Sequence, residues 1–221
     1  MRTPSSPSIS PRKRPVQDRS TQLVSDILQA AIRVLEREGA HRFTTIRVAE
    51  QAGVSVGSLY QYFPNKQAIL FQLQRDEWER TGGTLAALLG DTTRSPEDRL
   101  RATVRAFFHS EVDEAPLRLA LDAAAPRYRD APESSSARAR IAGIVAEFVA
   151  AAAPRASRSQ RELAAQLLLA TLKTLGKHVS ERDLSRADVD RWADAASEML
   201  GGYLARLAPP AARRRGRTAT R

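Results

Sequence analysis

The stretch TTIRVAEQAGVSVGSLYQYF, Thr44–Phe63, decides how the rest of the chain is read. Val48, Ala49 and Ala52 fall on one apolar face of a short helix, and Gly53 follows where a sharp helix exit needs backbone freedom. Ser55 stands where a hydroxyl can accept from an orphan N–H one turn on, so a second helix starts there. Leu59 and Phe63, four apart, are expected to face inward with Val54, and small Ala49 lets the two helices approach closely. Apolar residues inside, glycine at the turn and a polar outer face make the pattern of a helix-turn-helix.

Val56, Gly57, Ser58, Tyr60, Gln61 and Tyr62 are expected on the outer face of the second helix, and nearly all are small, polar or hydroxylated. No carboxylate lies between Val54 and Leu70, so nothing there repels phosphate. A short helix of this kind can enter a DNA major groove, where hydroxyls and amides bond base edges or phosphates. Pro64-Asn65-Lys66 then reads as a further helix start with Asn65 as cap, and a helix N-terminus carrying a lysine suits a phosphate. The competing reading is a helical hairpin that only packs.

Residues from about Asp18 to Leu73 resemble the DNA-binding domain of the tetracycline-repressor (TetR) family. That family's pattern is an amphipathic first helix, Thr-hydrophobic-x-x-hydrophobic-Ala-x-x-Ala-Gly-Val-Ser, then Gly-x-Leu-Tyr-x-aromatic-Phe, then Lys. Phe43–Leu70 matches it almost throughout as FTTIRVAEQAGVSVGSLYQYFPNKQAIL. Gln61 stands where many relatives carry His, and Val56 replaces a frequent Lys or Arg; both departures bear on operator sequence. The resemblance implies an all-α fold, with an N-terminal three-helix helix-turn-helix DNA-binding domain and a C-terminal helical ligand-binding and dimerisation domain. It implies a double-stranded DNA operator as partner, contacted by Thr45, Ser55, Val56, Gly57, Ser58, Tyr60, Gln61, Tyr62 and Lys66, with Thr45, Tyr60, Tyr62 and Lys66 at phosphates.

The 221 residues are enough for one large or two small domains with a buried core. With no cysteine, disulfides and thiolate metal sites are excluded. No run approaches 18 apolar residues and no apolar segment follows the N-terminal charges, so a soluble cytoplasmic protein without membrane contact is expected. The net charge of +10 is concentrated at the ends. Residues 1–17 hold Arg2, Arg12, Lys13 and Arg14 without an acid, and 209–221 hold five arginines without one, leaving only +1 for 18–208. The Pro- and Ser-rich first segment is expected to be a disordered basic arm, either reaching along DNA or simply solvated. The last segment is expected to be a disordered basic tail. Either end supplies at most a sequence-independent electrostatic attraction.

Around the central motif the pattern is helix and turn. A first helix, about Asp18–Glu38, carries a stripe of Leu23, Ile27, Ala30, Ala31, Val34 and Leu35, and Gly39 ends it. Thr44 or Thr45 caps the next. After Lys66 a linking helix runs to about Leu89, interrupted by Gly82-Gly83, which predicts either a bend or close packing. Ser95-Pro96-Glu97-Asp98 opens another helix, Pro116–Ala124 forms a shorter one, and Pro132-Glu133-Ser134 starts one closed by Pro154. The domain boundaries expected are 1–17, 18–65, 66–80 (linking helix), 81–208 (regulation and dimerisation) and 209–221.

The last two helices, about 159–179 and 186–207, carry wide apolar stripes, more surface than a small core needs. The resemblance implies that they pair with a second copy as a four-helix bundle, giving a homodimer; the alternative is that both stripes are spent within one monomer. By the same resemblance an unknown small-molecule effector sits between the middle helices and tilts the linking helix. Candidate lining residues are Phe107, Phe108, His109, Tyr128, Phe148 and Lys173. No cofactor or metal is expected. His41, His109 and His178 are scattered, and GxSxG and phosphate-loop glycines are missing, so no enzyme is expected. Two other readings were open: a dimeric DNA-binding protein without small-molecule control, and a nonspecific binder working through its basic ends.

Overall fold

The computed structural model of the chain describes residues 18–124 and 132–207. The basic arm, the basic tail and Tyr128 lie outside them. Among the described residues the secondary structure is helical throughout: α1 (Asp18–Glu38), a 3-10 turn (Ala40–Arg42), α2 (Thr45–Ala52), α3 (Val56–Tyr62), α4 (Lys66–Gly90), α5 (Pro96–Asp113), α6 (Ala115–Ala124), α7 (Pro132–Ala152), α8 (Arg158–Ser180) and α9 (Arg186–Leu207).

The starts of these helices are written into single polar residues. Thr44, Ser55, Asn65, Ser95 and Ser157 each accept a hydrogen bond from a backbone N–H of the first turn, the orphan donors that otherwise need water. Gly39 and Gly53 take the positive φ values (75° and 68°) that let α1 and α2 end abruptly.

Two apolar clusters organise the molecule. The N-terminal cluster packs Ile27, Ala31 and Val34 of α1 against Val48, Leu59 and Phe63 and against Ile69 and Leu70 of α4. The C-terminal cluster joins Leu100, Val104 and Phe108 of α5 to α7, α8 and α9. Helix α6 belongs in space to the first cluster, since Ala120 and Leu121 are buried there although they follow α5 in the chain. Helix α4 belongs to both. At 25 residues it spans about 37 Å.

The Gly82-Gly83 pair does not interrupt α4, and the boundary expected after residue 80 falls inside this one helix. Close packing is not the reason for the pair either. A Cβ on Gly82 would meet only Ile141 at ordinary contact distance, 3.9 Å, and one on Gly83 would meet nothing. Flanking Leu85 and Leu89 are buried, and that tertiary anchoring outweighs the local cost of two glycines.

Candidate nucleic-acid interface and effector cavity

The local chemistry of Thr44–Lys66 fixes a small outward-facing platform. Ser55 accepts from the Ser58 amide at 3.0 Å, and the two serine hydroxyls lie 2.8 Å apart, so the first turn of α3 is internally bonded. The Thr45 hydroxyl at the start of α2 lies 3.2 Å from the Tyr60 hydroxyl, tying the two helices on their outer side. Tyr60 is 40% exposed, and Gly57 and Gln61 are exposed beside it. A Cβ on Gly57 would meet nothing nearer than Ser55 Oγ at 3.8 Å. No internal packing therefore demands a glycine there; its smallness is felt only on the outer side. Lys66 opens α4, where the Asn65 side chain accepts from the Ala68 amide at 2.9 Å. Three helix starts, with caps at Thr44, Ser55 and Asn65, thus lie within one short stretch of chain.

One of the expected outward residues lies inside. Tyr62 is only 8% exposed and belongs to the N-terminal core. It follows Leu59 by three positions, and that spacing brings it to the inner face of a helix with 3.6 residues per turn. Val56, three positions before Leu59, is partly buried against the same core. The outward face is therefore Gly57, Tyr60 and Gln61, with half-buried Ser58 at its edge. Of the other basic groups nearby, Arg47 is engaged by Glu38, while His41 and Arg42 stand exposed on the 3-10 turn.

A cavity of about 350 Å3 opens on the far side of the molecule, between α4, α5, α7 and α8. Leu85 and Leu89 of α4 form part of its wall. Of the six residues expected to line it, Phe107 and Lys173 do. Phe108 and Phe148 are instead buried in the C-terminal core. Phe107 and Phe108 point about 100° apart on α5, and here the first turns to the cavity and the second to the core. His109 sits between α5 and α9, its Nε2 2.8 Å from Asp190 Oδ1, an interaction that holds the Asp190 carboxyl below the usual carboxylate range. Leu85, Leu89 and Arg138 were not expected in the wall. The leucines read as ordinary core stripe, and Arg138 as surface charge.

The end of α4 is clamped beside this cavity. The buried Arg99 guanidinium donates from Nε to the Leu89 carbonyl at 2.7 Å, donates to it again from an outer nitrogen, and lies 5.2 Å from the centre of the Phe148 ring. At the corner between α5 and α6, Gln74 Nε2 of α4 donates to Glu114 Oε2 at 3.1 Å. Glu114 is 8% exposed. Burial, with Glu111 nearby, pushes its carboxyl up to about 7.

On the opposite side, α8 and α9 leave apolar residues uncovered. Leu163 and Leu167 of α8 are 57% and 42% exposed, and Met199 of α9 is 55% exposed. Ala170, Thr174, Ala195 and Met199 are among the residues lining a shallow groove between the two helices.

Among the described residues no group of His, Cys, Asp or Glu could hold a metal ion, and no helix is long and apolar enough to cross a membrane.

Residues 27–73 match the family described as bacterial regulatory proteins, tetR family, and residues 95–207 match the tetracyclin repressor-like C-terminal domain. Nucleoid occlusion factor SlmA of Actinobacillus pleuropneumoniae (serotype 5b, strain L20) is 33% identical over 110 residues, covering 49% of this chain and 50% of that protein. The fatty acid metabolism regulator protein of Bacillus subtilis (strain 168) is 39% identical over 51 residues, 23% of this chain and 26% of that protein. The chain thus spans half or less of the length of these relatives. Among solved structures, a TetR transcriptional regulator from Streptomyces coelicolor is 28% identical with a TM-score of 0.56, covering 85% of this chain and 99% of that one. A chain assigned to the same family from Mesorhizobium loti MAFF303099 shares the fold at a TM-score of 0.67 and 19% identity, over 84% of this chain and 98% of that one.

Proposed function

The chain belongs to the TetR family of DNA-binding transcriptional regulators, and from that premise we propose that it is a homodimeric repressor released from its operator by a small molecule. One observation carries the reading: the helix that starts at the DNA platform with Lys66 also walls the cavity with Leu85 and Leu89. A ligand that fits the cavity better in one tilt of α4 than in another shifts the position of the reading head, and it can shift the equilibrium only by that difference in affinity. A tenfold loss of operator affinity needs about 1.4 kcal/mol of such difference.

The reading head is α3, entering the major groove with Gly57, Tyr60 and Gln61 foremost and Ser58 and Val56 at its edge. Gly57 lets the backbone come close to the bases. The hydroxyls of Thr45 and Tyr60, the Ser55 turn and the start of α4 at Lys66 face phosphates. A second copy docks through the uncovered faces of α8 and α9, whose small and apolar residues allow close helix approach. The two recognition helices then stand about 34 Å apart, one turn of B-DNA, and read a near-palindrome.

Binding anisotropy on the DNA flanking the chain's own gene tests the head. Tyr60→Ala and Lys66→Ala should each weaken binding several-fold at low and at moderate salt, and removal of 1–17 and 209–221 should leave specific binding with a smaller salt slope. Equal binding by wild type and both variants would discard the head. A reporter under a promoter carrying that site tests repression by whether output falls when the protein is present. The likeness to a nucleoid occlusion factor keeps a second reading, in which this chain is a dimeric DNA-binding protein acting on chromosome organisation without small-molecule control; release of operator by any cavity ligand decides against it.

A further inference from the structure

The wall of the cavity narrows what can occupy it. Leu85, Leu100, Phe107, Ile144, Leu169 and their neighbours present hydrocarbon. The one hydroxyl in the wall among the described residues, that of Thr103, is buried and already donates to the Arg99 carbonyl at 2.8 Å. A ligand rich in hydroxyls would lose its hydrogen bonds to water and find no replacements. Taking a methylene to occupy about as much space as a liquid water, ~30 Å3, 350 Å3 holds a chain of about a dozen carbons.

Charge enters the wall at Arg138 of α7 and Lys173 of α8. Both side chains are exposed, so they stand where the wall meets solvent. Arg138 also donates to Ser135 Oγ at 3.1 Å, which steadies its guanidinium. No carboxylate lines this space among the described residues. That bias is not a property of the whole body, which carries only +1 over residues 18–208. A second cavity of about 690 Å3, between α1, α4 and the α5–α6 corner, has the opposite sign, with Glu36, Asp76, Glu77, Asp113 and Glu114 in its wall against Arg80.

We infer that the cavity between α4, α5, α7 and α8 takes an amphiphilic anion, its hydrocarbon chain inside and a carboxylate or phosphate head between Arg138 and Lys173. The inference rests on the ligand-released reading above, but binding and release are measured separately, so either can fail alone.

The full chain is titrated calorimetrically, below micelle-forming concentrations, with dodecanoate, dodecyl phosphate and dodecanol. The anions should bind one per chain, about tenfold tighter than the alcohol, with affinity falling about fourfold per methylene removed. The tighter of the two anions identifies the head. Arg138→Gln with Lys173→Gln, both at exposed positions, should bring the anions down to the alcohol's affinity and leave the alcohol unchanged. Ala142→Phe, which fills the cavity, should abolish binding of all three. Equal affinity for dodecanol and dodecanoate, a charge preference that survives the double substitution, or no binding by any probe would overturn the inference. Operator anisotropy is read in the same samples: dodecanoate that binds without releasing DNA leaves the ligand class standing and removes the release mechanism.

Discussion

The reading head takes all of its candidate contacts from residues 45–66, whereas the cavity draws its wall from four helices between residues 85 and 173. In the head, Ser55 bonds Ser58 and Asn65 caps the helix that Lys66 opens, both within one turn, while Thr45 meets Tyr60 across a separation of only 15 residues. In the cavity local bonds hold Thr103 to the Arg99 carbonyl and Arg138 to Ser135, but the wall itself is assembled from four helices. Phe107 faces the space only because α7 and α8 cross α5 where they do. A site written locally tolerates change elsewhere in the fold. A site written by helix crossings moves with them, which suits a sensor.

The contrast breaks first where the head depends on long-range packing. Leu59 is fully buried in the N-terminal cluster, and Leu59→Ala should cost about 3–4 kcal/mol by lost transfer energy and a residual cavity. Denaturant unfolding should show the N-terminal cluster melting first and operator binding lost, with the cavity probes still bound. Simultaneous loss of both regions would show that α4 and α6 make them one cooperative unit.

The seam between the regions answers to pH. Glu114 of the α5–α6 corner receives the Gln74 amide and lies 3.5 Å from the Thr81 hydroxyl of α4, with Glu111, Arg118 and Arg80 as its charged neighbours. Its carboxyl is raised from 4.5 to about 7 in the fold. The folded chain therefore binds the extra proton between those values, and stability falls as pH rises from about 4.5 to about 7, then levels off. The effect is on the order of 3 kcal/mol. Urea midpoints measured across that window should slope downward for wild type, and Glu114→Gln should flatten them. An upward slope attributable to this residue would mean that Gln74 and the arginines outweigh burial.

Ser55→Ala sharpens the local side of the contrast. Losing the cap should cost about 1 kcal/mol and weaken operator binding, since the start of α3 frays. Ligand affinity of the cavity should stay the same. Hydrogen exchange should localise the change to Val56–Tyr62.

How much could be read without the structure follows the same division. Helix starts and the turn at Gly53 were legible because caps and positive-φ glycines are properties of one or two residues. On α3 the exposure of Gly57, Tyr60 and Gln61 was legible, whereas Tyr62, whose hydroxyl suggested solvent, is placed inside by its three-residue spacing to Leu59, and Val56 is partly buried for the same reason. At the glycine pair 82–83 local propensity marked an interruption, whereas α4 is continuous there, with Leu85 and Leu89 buried beyond it. For the cavity, composition could nominate aromatic residues but not choose between Phe107 and Phe108. Nor could it bring Arg138, on a different helix, to the same wall as Lys173. The packing of Ala120 and Leu121 into the N-terminal core was hidden because their place in the chain lies beyond α5.

Gly176 offers the smallest and most discriminating change. In α8 it lies against α5, and a Cβ there would come within 2.9 Å of Phe107 Cε1 and 3.0 Å of Glu111 Cγ. Both atoms belong to side chains, so Gly176→Ala is accommodated by a shift of the Phe107 ring rather than of the backbone. The overpacking cost and the gain in helix propensity are each about 1 kcal/mol and oppose one another, so the unfolding midpoint should hardly move. Phe107, however, is part of the cavity wall, and its displacement changes the space available to a chain. The variant should therefore bind operator as wild type does while its affinity for cavity ligands changes several-fold. If stability falls by several kcal/mol instead, α5 and α8 are held too rigidly for the ring to move, and the cavity is a fixed mould rather than an adjustable wall. If nothing changes, Phe107 is not part of the binding surface, and the crossing of α5 and α8 plays no part in what the cavity admits.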